Sequence, residues 1–161
     1  MLTRLTGTLE SADDALTITV GPAAVRAEAP RYLLDRLANQ VGQTVTLHTR
    51  LDLESHNQGA SFSPRLIAFD TPDERAFFDL FTSVKGLGAR RALRALAHDP
   101  AQIAAWIVAK DAKALQQLPE IGKRLAETVI AELSGKVDRF ASEAAMTTGP
   151  AGYAPAAIEP S

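Results

Sequence analysis

The sequence predicts an α+β protein in which a mainly β N-terminal part is followed by a mainly α part. Two observations lead to this fold class. Residues 1–70 contain short runs in which apolar and polar side chains alternate with a period of two, which is typical of half-buried strands. After Thr71 the period changes, and a short glycine-containing pattern occurs twice at a spacing of 34 residues. A repeat at this spacing indicates one supersecondary unit used twice.

The composition is that of a folded protein with one domain or two small ones. Of its 161 residues, 46% are hydrophobic and 22% are charged, which provides enough apolar material for a packed core. The chain has no cysteine, which excludes disulfides and fits a reducing cytosol. Its first residues lack an apolar segment of signal-peptide length, and its longest apolar run, residues 103–109, is far too short to span a bilayer. We therefore expect a cytoplasmic protein with no membrane partner.

Residues 1–70 are predicted to form a small barrel. Residues 17–20 and 45–53 alternate apolar and polar side chains, and turn signals containing Asp, Asn, Gly or Pro separate such runs. We assign residues 31–37 to a short helical connection. About five short strands with one helical link favour an OB-fold barrel, while an SH3-like barrel is compatible with the same pattern.

Residues 71–143 are predicted to be helical. Residues 71–74 form a capping box with proline at the first helical position. Asp99, followed by proline, repeats this signature, and Asp111 can cap a further short helix. The predicted helices span about 72–83, 88–97, 100 onward, 112–118 and 122–133.

Aromatic residues of this helical part are expected in the core rather than in a functional site. They are Phe77, Phe78, Phe81 and Trp106, which are residue types that folded proteins mostly bury. From about Met146 the chain consists of Ala, Gly, Pro, Thr and Ser with almost no charge. This composition predicts a disordered tail over residues 144–161.

The repeated pattern covers residues 84–92 and again residues 118–126. Each copy places a tight turn, with an apolar residue between small ones, between the end of one helix and the start of the next. A helix start presents unpaired N–H groups and a partial positive charge, which suit an anion. Glycine at that start can take positive φ and lets another backbone come close. Cations in the same turn oppose the helix dipole, which makes sense if a phosphate lies between them.

The two copies therefore resemble a tandem helix-hairpin-helix, a module that grips the nucleic-acid backbone without reading bases. The alternative is a pair of ordinary glycine-containing turns between packed helices. Two aligned copies, both followed by arginine, favour binding over that alternative. The candidate DNA-binding residues are Lys85, Gly86, Leu87, Gly88, Arg90, Arg91, Ile121, Gly122, Lys123 and Arg124.

The charge is unevenly distributed along the chain. The formal net charge of −2 and the isoelectric point near 5.9 argue against nucleic acid when taken alone. Residues 1–70 carry 6 basic and 8 acidic side chains, whereas residues 71–140 carry 11 and 9. Four basic and no acidic residues lie between Ser83 and Arg94. Such a local patch predicts phosphate binding with strong salt dependence, although a solvated helix face would have the same charge.

A barrel followed directly by two hairpins resembles the RuvA family of Holliday-junction branch-migration subunits over roughly residues 1–143. The resemblance implies a homotetramer, or an octamer, that binds four-way junction DNA and holds it open in recombination, repair and the SOS response. It also implies a partner ATPase, RuvB, that pumps the DNA, and no catalytic residue or cofactor in this chain. The matching stretches are Arg4-Leu5-Thr6-Gly7, Leu47-His48-Thr49, Phe69, Asp73-Glu74-Arg75-Ala76-Phe77-Phe78 and both hairpins.

Three departures from the family pattern bear on function. Glu120 stands where the family has glycine, and a carboxylate facing phosphate should repel DNA unless it points away. The family has an acidic pin in its barrel that keeps strands apart at the crossover. Asp52 and Glu54 are the pin candidates here, and a lengthened loop at residues 57–61 is an equally good interpretation. The family ends in a helical RuvB-binding domain where this chain has its tail, so we expect no stimulation of a RuvB-type ATPase.

Two other function classes stay open beside a non-catalytic junction binder. A DNA-repair glycosylase would need a catalytic Asp in a Gly-Pro-rich loop, but Asp138 has no such loop, and a metal nuclease would need clustered carboxylates. His48, His56 and His98 lack metal-ligand spacing, so we expect neither metal nor catalytic residues. A degenerate relative that scaffolds other proteins without binding DNA is the third class, which Glu120 and the altered pin allow.

Overall fold

The computed structural model of the protein describes residues 2–55 and 61–141. The strands in this part are β1 (Arg4–Ala12), β2 (Leu16–Val20), β3 (Ala23–Ala27), β4 (Thr44–Ser55) and β5 (Phe62–Phe69). The helices are α1 (Arg31–Leu37), with a 3-10 turn at Ala38–Gln40, then α2 (Pro72–Phe81), α3 (Ala89–Ala95), α4 (Pro100–Val108), α5 (Ala112–Leu115) and α6 (Lys123–Leu133). None of these helices is long and apolar enough to cross a membrane. The predicted tail at 144–161 lies outside the described residues.

The strands form one sheet that closes into a barrel. The strand order is β3-β2-β1-β4-β5 with antiparallel pairing, and a parallel bridge joins Glu28, just after β3, to Ile67 of β5. Hydrogen bonds of 2.8 Å from Glu28 N to Leu66 O and from Ala68 N to Glu28 O make this closure. Because α1 lies between β3 and β4 in the chain, the arrangement is that of an OB fold. The predicted barrel type is confirmed over the SH3-like alternative.

Side-chain caps start the helices where the sequence predicted them. Thr71 accepts a hydrogen bond of 3.1 Å from the Glu74 N–H, which is half of the capping box. Asp99 accepts from Ala101 N at 2.9 Å and Asp111 from Ala114 N at 3.0 Å. The ends differ from prediction by a few residues, because α2 stops at Phe81 and α5 is a single turn that stops at Leu115. Terminal residues are the least determined by local sequence.

One apolar core runs from the barrel into the helices. Phe77, Phe78 and Phe81 are fully buried, as predicted. Phe69 at the end of β5 packs against Phe78 with ring centroids 5.0 Å apart, and so joins the sheet to α2. Phe77 in turn meets Phe140 edge-on at 5.5 Å. The barrel and the helices are therefore packed as one body over the described residues.

Trp106 is less buried than the sequence predicted. The buried face of α4 is formed by Ile103, Ala104 and Ile107, which leaves Trp106 at the margin of the core and only partly covered. Its ring lies edge-on to that of His98 at a centroid distance of 5.3 Å. Residue type alone did not give this position, because tryptophan is so large that folded proteins rarely bury it completely.

Arg36 of α1 ties the barrel to the helices. Its guanidinium contacts Asp70 at 2.8 Å, Glu74 of α2 at 3.0 Å and Asp99, the cap of α4, at 2.8 Å. It also lies over the Tyr32 ring, 5.3 Å from the centroid. Burial acts to lower the pKa of Arg36, but its hydrogen bonds to Glu74 and Asp70 outweigh burial and raise the pKa. One permanently charged side chain thus fixes the orientation of two helices on the barrel.

Candidate nucleic-acid interface

The two copies of the repeat fold into turns of the same shape. In the first hairpin, residues 84–92, Gly86 has a φ of 89°, and in the second hairpin, residues 118–126, Glu120 has a φ of 69°. Gly88 and Gly122 then have extended backbone, with φ and ψ of −74° and 170° and of −85° and 177°. The duplication seen in the sequence is therefore present in the backbone, and α3 and α6 begin at equivalent points.

Buried side chains hold each turn in place. The N–H of Leu87 donates to Val84 O at 3.1 Å, and that of Ile121 donates to Leu118 O at 3.2 Å. All four side chains are buried. Leu87 and Ile121, which the sequence placed among the DNA-binding residues, are thus anchors of the turns, and only their backbone can face a ligand.

The role assigned to glycine at the helix starts needs a correction. The sequence argument noted that glycine can take positive φ at Gly88 and Gly122, but positive φ occurs two residues earlier, at Gly86 and Glu120. Gly88 and Gly122 are N-caps without a side-chain hydrogen bond, and a Cβ added at either would meet nothing within 4 Å. The physical effect of glycine there is the missing side chain, which leaves the first-turn N–H groups without a covering cap.

The predicted cations lie at the surface of both hairpins. Lys85, Arg90, Arg91, Lys123 and Arg124 are all exposed. Arg91 Nη1 donates to the carbonyl oxygen of Gly86 at 2.9 Å, so this side chain lies across the turn of the first hairpin. Lys123 and Arg124 occupy the first turn of α6 and have no ion-pair partner among residues 2–55 and 61–141.

Carboxylates from elsewhere in the chain reach the arginines of α3. Glu120 contacts Arg94 Nε at 3.0 Å and Arg91 Nε at 3.6 Å. Glu54 of β4 contacts Arg90 Nη2 at 2.7 Å. The side chain of Glu120 therefore points toward the first hairpin, and it approaches cations rather than standing alone in its own turn.

The two candidates for the acidic pin have different surroundings. Asp52 accepts a 2.7 Å hydrogen bond from Arg50 Nε, and Arg50 also contacts Asp79 of α2 at 2.7 Å. Glu54, two residues further along β4, faces α3 and lies 3.7 Å from Arg65 as well as against Arg90. The lengthened loop proposed for residues 57–61 falls mostly outside the described residues, as does His56.

A second carboxylate, on α6, also joins the two hairpins by contacting the turn of the first one. Glu132 of α6 accepts a 3.2 Å hydrogen bond from the backbone N–H of Lys85 in the first hairpin. Glu120 of the second hairpin reaches α3, as described above. The two hairpins are thus linked at two points, which sets the distance between their turns.

Arg65 of this surface was missed from the sequence, and Arg94 was counted in the basic patch but not named among the DNA-binding residues. Arg94 lies one helical turn after Arg90, and Arg65 of β5 lies opposite Asp52. Together with Glu54 and Arg90 they line a groove of about 480 Å³ between the β4–β5 hairpin and α3. The i, i+4 spacing from Arg90 to Arg94 could have identified Arg94. Arg65 could not be found in this way, since its place depends on strand pairing. Hydrogen bonding to Glu28 raises the pKa of Arg65, so it stays charged.

Within the described part of the chain, no group of three or more His, Asp or Glu side chains is placed to hold a metal ion. The surface instead combines backbone turns, exposed cations and a few paired carboxylates. Backbone N–H groups and arginines are the groups that proteins use for phosphate oxygens. The arrangement can therefore hold a phosphate backbone.

Comparison with known proteins agrees with this geometry. Residues 78–134, which include both hairpins, match the family model described as a SAM-like helix-hairpin-helix tandem. This match confirms the tandem predicted from the repeat.

Several curated proteins are similar over a longer stretch, and each is called Holliday junction branch migration complex subunit RuvA. The one from Rhodopirellula baltica is 47% identical over 110 residues, covering 68% of this chain and 53% of the relative. The relative from Rhodospirillum centenum is 37% identical over 160 residues, covering 97% of this chain and 74% of its own length. That from Geobacter sulfurreducens is 32% identical, covering 98% and 77%. The chain thus spans between about half and three quarters of the length of these relatives.

Proposed function

The chain belongs to the RuvA family, and from this premise we propose that it is a non-catalytic protein that binds four-way (Holliday) junction DNA in recombination and repair. Its place of action in this proposal is the bacterial cytoplasm. The relatives' names describe a subunit of a branch migration complex. Junction binding is the part of that activity for which this chain's own residues provide support.

The observation that carries the proposal is the structural identity of the two hairpins together with their cations. Both turns have positive φ at equivalent positions, similar torsions at the glycine that follows and the same internal hydrogen bond. Both lead into a helix whose first turn carries exposed basic side chains. One such turn is common among packed helices. Two copies that share their geometry and both carry exposed cations supply two phosphate sites, which the contacts between the hairpins hold at a fixed separation.

The contacts are expected to go to phosphate rather than to bases. The candidate groups are backbone N–H groups and flexible basic side chains, which contact phosphates and carry no sequence information. The modest number of cations predicts moderate affinity that falls steeply with salt. DNA of any sequence should therefore bind, and discrimination should come from the shape of the DNA.

We propose that several copies of the chain act together on the four arms of the junction, and the barrel offers a surface for such an assembly. One face of the β4–β5 hairpin is apolar and exposed. Leu51 pairs with Leu66, and Leu53 pairs with Pro64. Leu53 is 65% exposed and Phe62, near the end of the same face, is 62% exposed. Neighbouring exposed apolar side chains of this kind mark interaction sites, and we assign this face to contacts between copies in a homotetramer or octamer.

A binding experiment with two DNA shapes tests the proposal. A four-way junction and a linear duplex of the same base composition are labelled and titrated with the protein at several salt concentrations. The junction should bind more tightly at every salt concentration. Each phosphate contact should add about −0.9 to the slope of log K against log salt.

The outcomes separate the function classes. Equal affinity for the two DNA shapes would contradict junction recognition and leave only backbone binding. No binding to either shape at low salt would contradict the proposal as a whole and support a scaffold that does not bind DNA. Cleavage of either DNA in the presence of Mg²⁺ would support a nuclease instead.

A further inference from the structure

Glu120 occupies a backbone position that disfavours a side chain. Its φ of 69° lies in the left-handed region, and the equivalent residue of the first hairpin is Gly86, with a φ of 89°. A non-glycine residue in this region is strained relative to glycine. Glycine would form this turn more easily. What Glu120 adds to the turn is therefore the set of contacts made by its carboxylate.

Those contacts go to cations of the other hairpin. Glu120 lies 3.0 Å from Arg94 Nε and 3.6 Å from Arg91 Nε, while Arg91 also donates to Gly86 O at 2.9 Å. The Glu120 side chain is 33% exposed, whereas those of Arg91 and Arg94 are 47% and 59% exposed. These ion pairs are thus at the surface, where an incoming phosphate can reach the same guanidinium groups.

The three arginines of α3 differ in this respect from the cations of α6. Arg90, Arg91 and Arg94 each meet a carboxylate that comes from another part of the chain. Within residues 2–55 and 61–141, Lys123 and Arg124 take part in no ion pair. The two hairpins have the same backbone but present different electrostatic surfaces to an anion.

We propose that Glu120 is an intramolecular competitor for DNA phosphate, which lowers the affinity of the first hairpin and reduces its salt dependence. The proposal rests on the proposed DNA-binding function. Phosphate that binds Arg91 or Arg94 must displace the carboxylate. The displaced carboxylate then regains counterions, so fewer ions are released in total when DNA binds.

The size of the effect follows from the exposure of the ion pairs. The interaction energy of an exposed ion pair changes an equilibrium constant by a factor of about 1.5 to 5. Two such pairs at Glu120 therefore correspond to about 2- to 25-fold in DNA affinity. Loss of the competing charge should also make the slope of log K against log salt steeper by up to about 1, because a single displaced carboxylate no longer takes up a counterion when DNA binds.

The opposite role is physically reasonable and is an outcome of the test. A carboxylate that held Arg91 and Arg94 in the geometry required by phosphate would favour binding by preorganisation. Removal of the carboxylate would then weaken binding instead of strengthening it. The sign of the affinity change distinguishes the two roles.

The test uses Glu120→Gln with Glu127→Gln as the matched control. Glutamine keeps the size of the side chain and the backbone demand at position 120 and removes only the charge. Glu127 is an exposed residue of α6 that makes no ion pair among the described residues, so its substitution gives the same change in net charge without freeing an arginine. Fluorescence anisotropy with a four-way junction and a linear duplex, from about 50 to 200 mM salt, gives affinities and slopes.

Glu120→Gln should bind both DNA shapes more tightly than wild type and with a steeper slope, whereas Glu127→Gln should change both quantities much less. The gain should disappear when Arg91 and Arg94 are both replaced by Ala, which a double-mutant cycle measures. Equal effects of the two Gln variants, weaker binding by Glu120→Gln, or a gain that persists without the arginines would each overturn the proposal. Thermal melting of every variant verifies that it is folded.

Failure of this inference can be told apart from failure of the proposed function. Only the role of Glu120 is overturned if the wild-type protein prefers the junction and the Glu120→Gln variant behaves like the Glu127→Gln control. Wild-type protein that binds no DNA, combined with a Glu120→Gln variant that does, supports the competitor and overturns the proposed function of the natural chain. The absence of DNA binding in all variants overturns both.

Discussion

Replacement of Gly86 by alanine should destabilise the protein through the backbone alone. Gly86 has a φ of 89°, and an L-residue in the left-handed region costs about 1 to 2 kcal/mol. Space does not add to this cost, because the nearest atom to a new Cβ is Leu125 Cδ1 at 3.8 Å, an ordinary contact distance. We therefore expect Gly86→Ala to lower the free energy of unfolding by about 1 to 2 kcal/mol.

Gly88→Ala is the matched control in the same hairpin. Gly88 has a φ of −74° and a ψ of 170°, a conformation open to any residue. A Cβ there would meet nothing within 4 Å. Alanine is a poorer N-cap than glycine, but it also restricts the unfolded chain. Because the two effects oppose each other, the free energy of unfolding should change by no more than about 0.5 kcal/mol. The two variants make the same chemical change two residues apart, and only position 86 requires the left-handed conformation.

Thermal unfolding, monitored by circular dichroism, gives the Tm of both variants. For a chain of this size, a loss of about 1 to 2 kcal/mol corresponds to a Tm lower by roughly 2 to 8 °C. The Gly86→Ala variant should show that shift, and the Gly88→Ala variant should melt close to wild type. Equal melting of the two variants, or a larger loss at Gly88, would refute the assignment of the left-handed position to Gly86 and with it the shape of both turns.

Two further predictions concern the interface and the assembly. Combined replacement of Arg90 and Arg91 by alanine should weaken binding to junction and linear DNA of any sequence alike. It should also flatten the slope of log K against log salt by up to about 2, since each arginine accounts for about one phosphate. Unchanged affinity in the same anisotropy titration would remove the first hairpin from the DNA interface. Leu53→Ser on the exposed apolar face of the barrel should shift the protein toward smaller species in sedimentation velocity, while its circular dichroism spectrum stays that of the folded protein. An unchanged distribution of species would place the contacts between copies elsewhere.

The parts of the fold that local sequence determines were predicted well. Thr71, Asp99 and Asp111 cap helices as expected, because a capping residue and its partner lie within a few positions of each other. The closure of the barrel by Glu28 against Ile67 had no local signal. Such a contact joins residues far apart in the chain, and alternation of apolar residues shows only that strands exist, with no indication of which strands pair.

The sequence located the turns and most of the cations of the candidate site, but it missed Arg65 and the ion pairs between the elements. The repeat identified the turns and the cations that follow them, because a repeat can be seen in the sequence whatever the arrangement of its two copies in space. The contact of Glu120 with Arg94 does depend on that approach. The sequence argument noted that glycine can take positive φ at Gly88, whereas Gly86 is the residue that has it, because glycine serves both where φ is positive and where a side chain must be absent. Sequence does not distinguish these two uses.

The ion pairs of Arg36 bear on whether the protein or the DNA changes shape when the two bind. Arg36 joins α1 to Asp70, Glu74 and Asp99, and the core continues beneath it from Phe69 to Phe78. With the barrel fixed to the helices in this way, the direction in which the hairpins face is set before any DNA arrives. An assembly built through the barrel would act as a rigid template, and the arms of a bound junction would take their angles from the protein. The deformation accompanying recognition then belongs to the DNA, whose resistance to bending contributes to the choice of target.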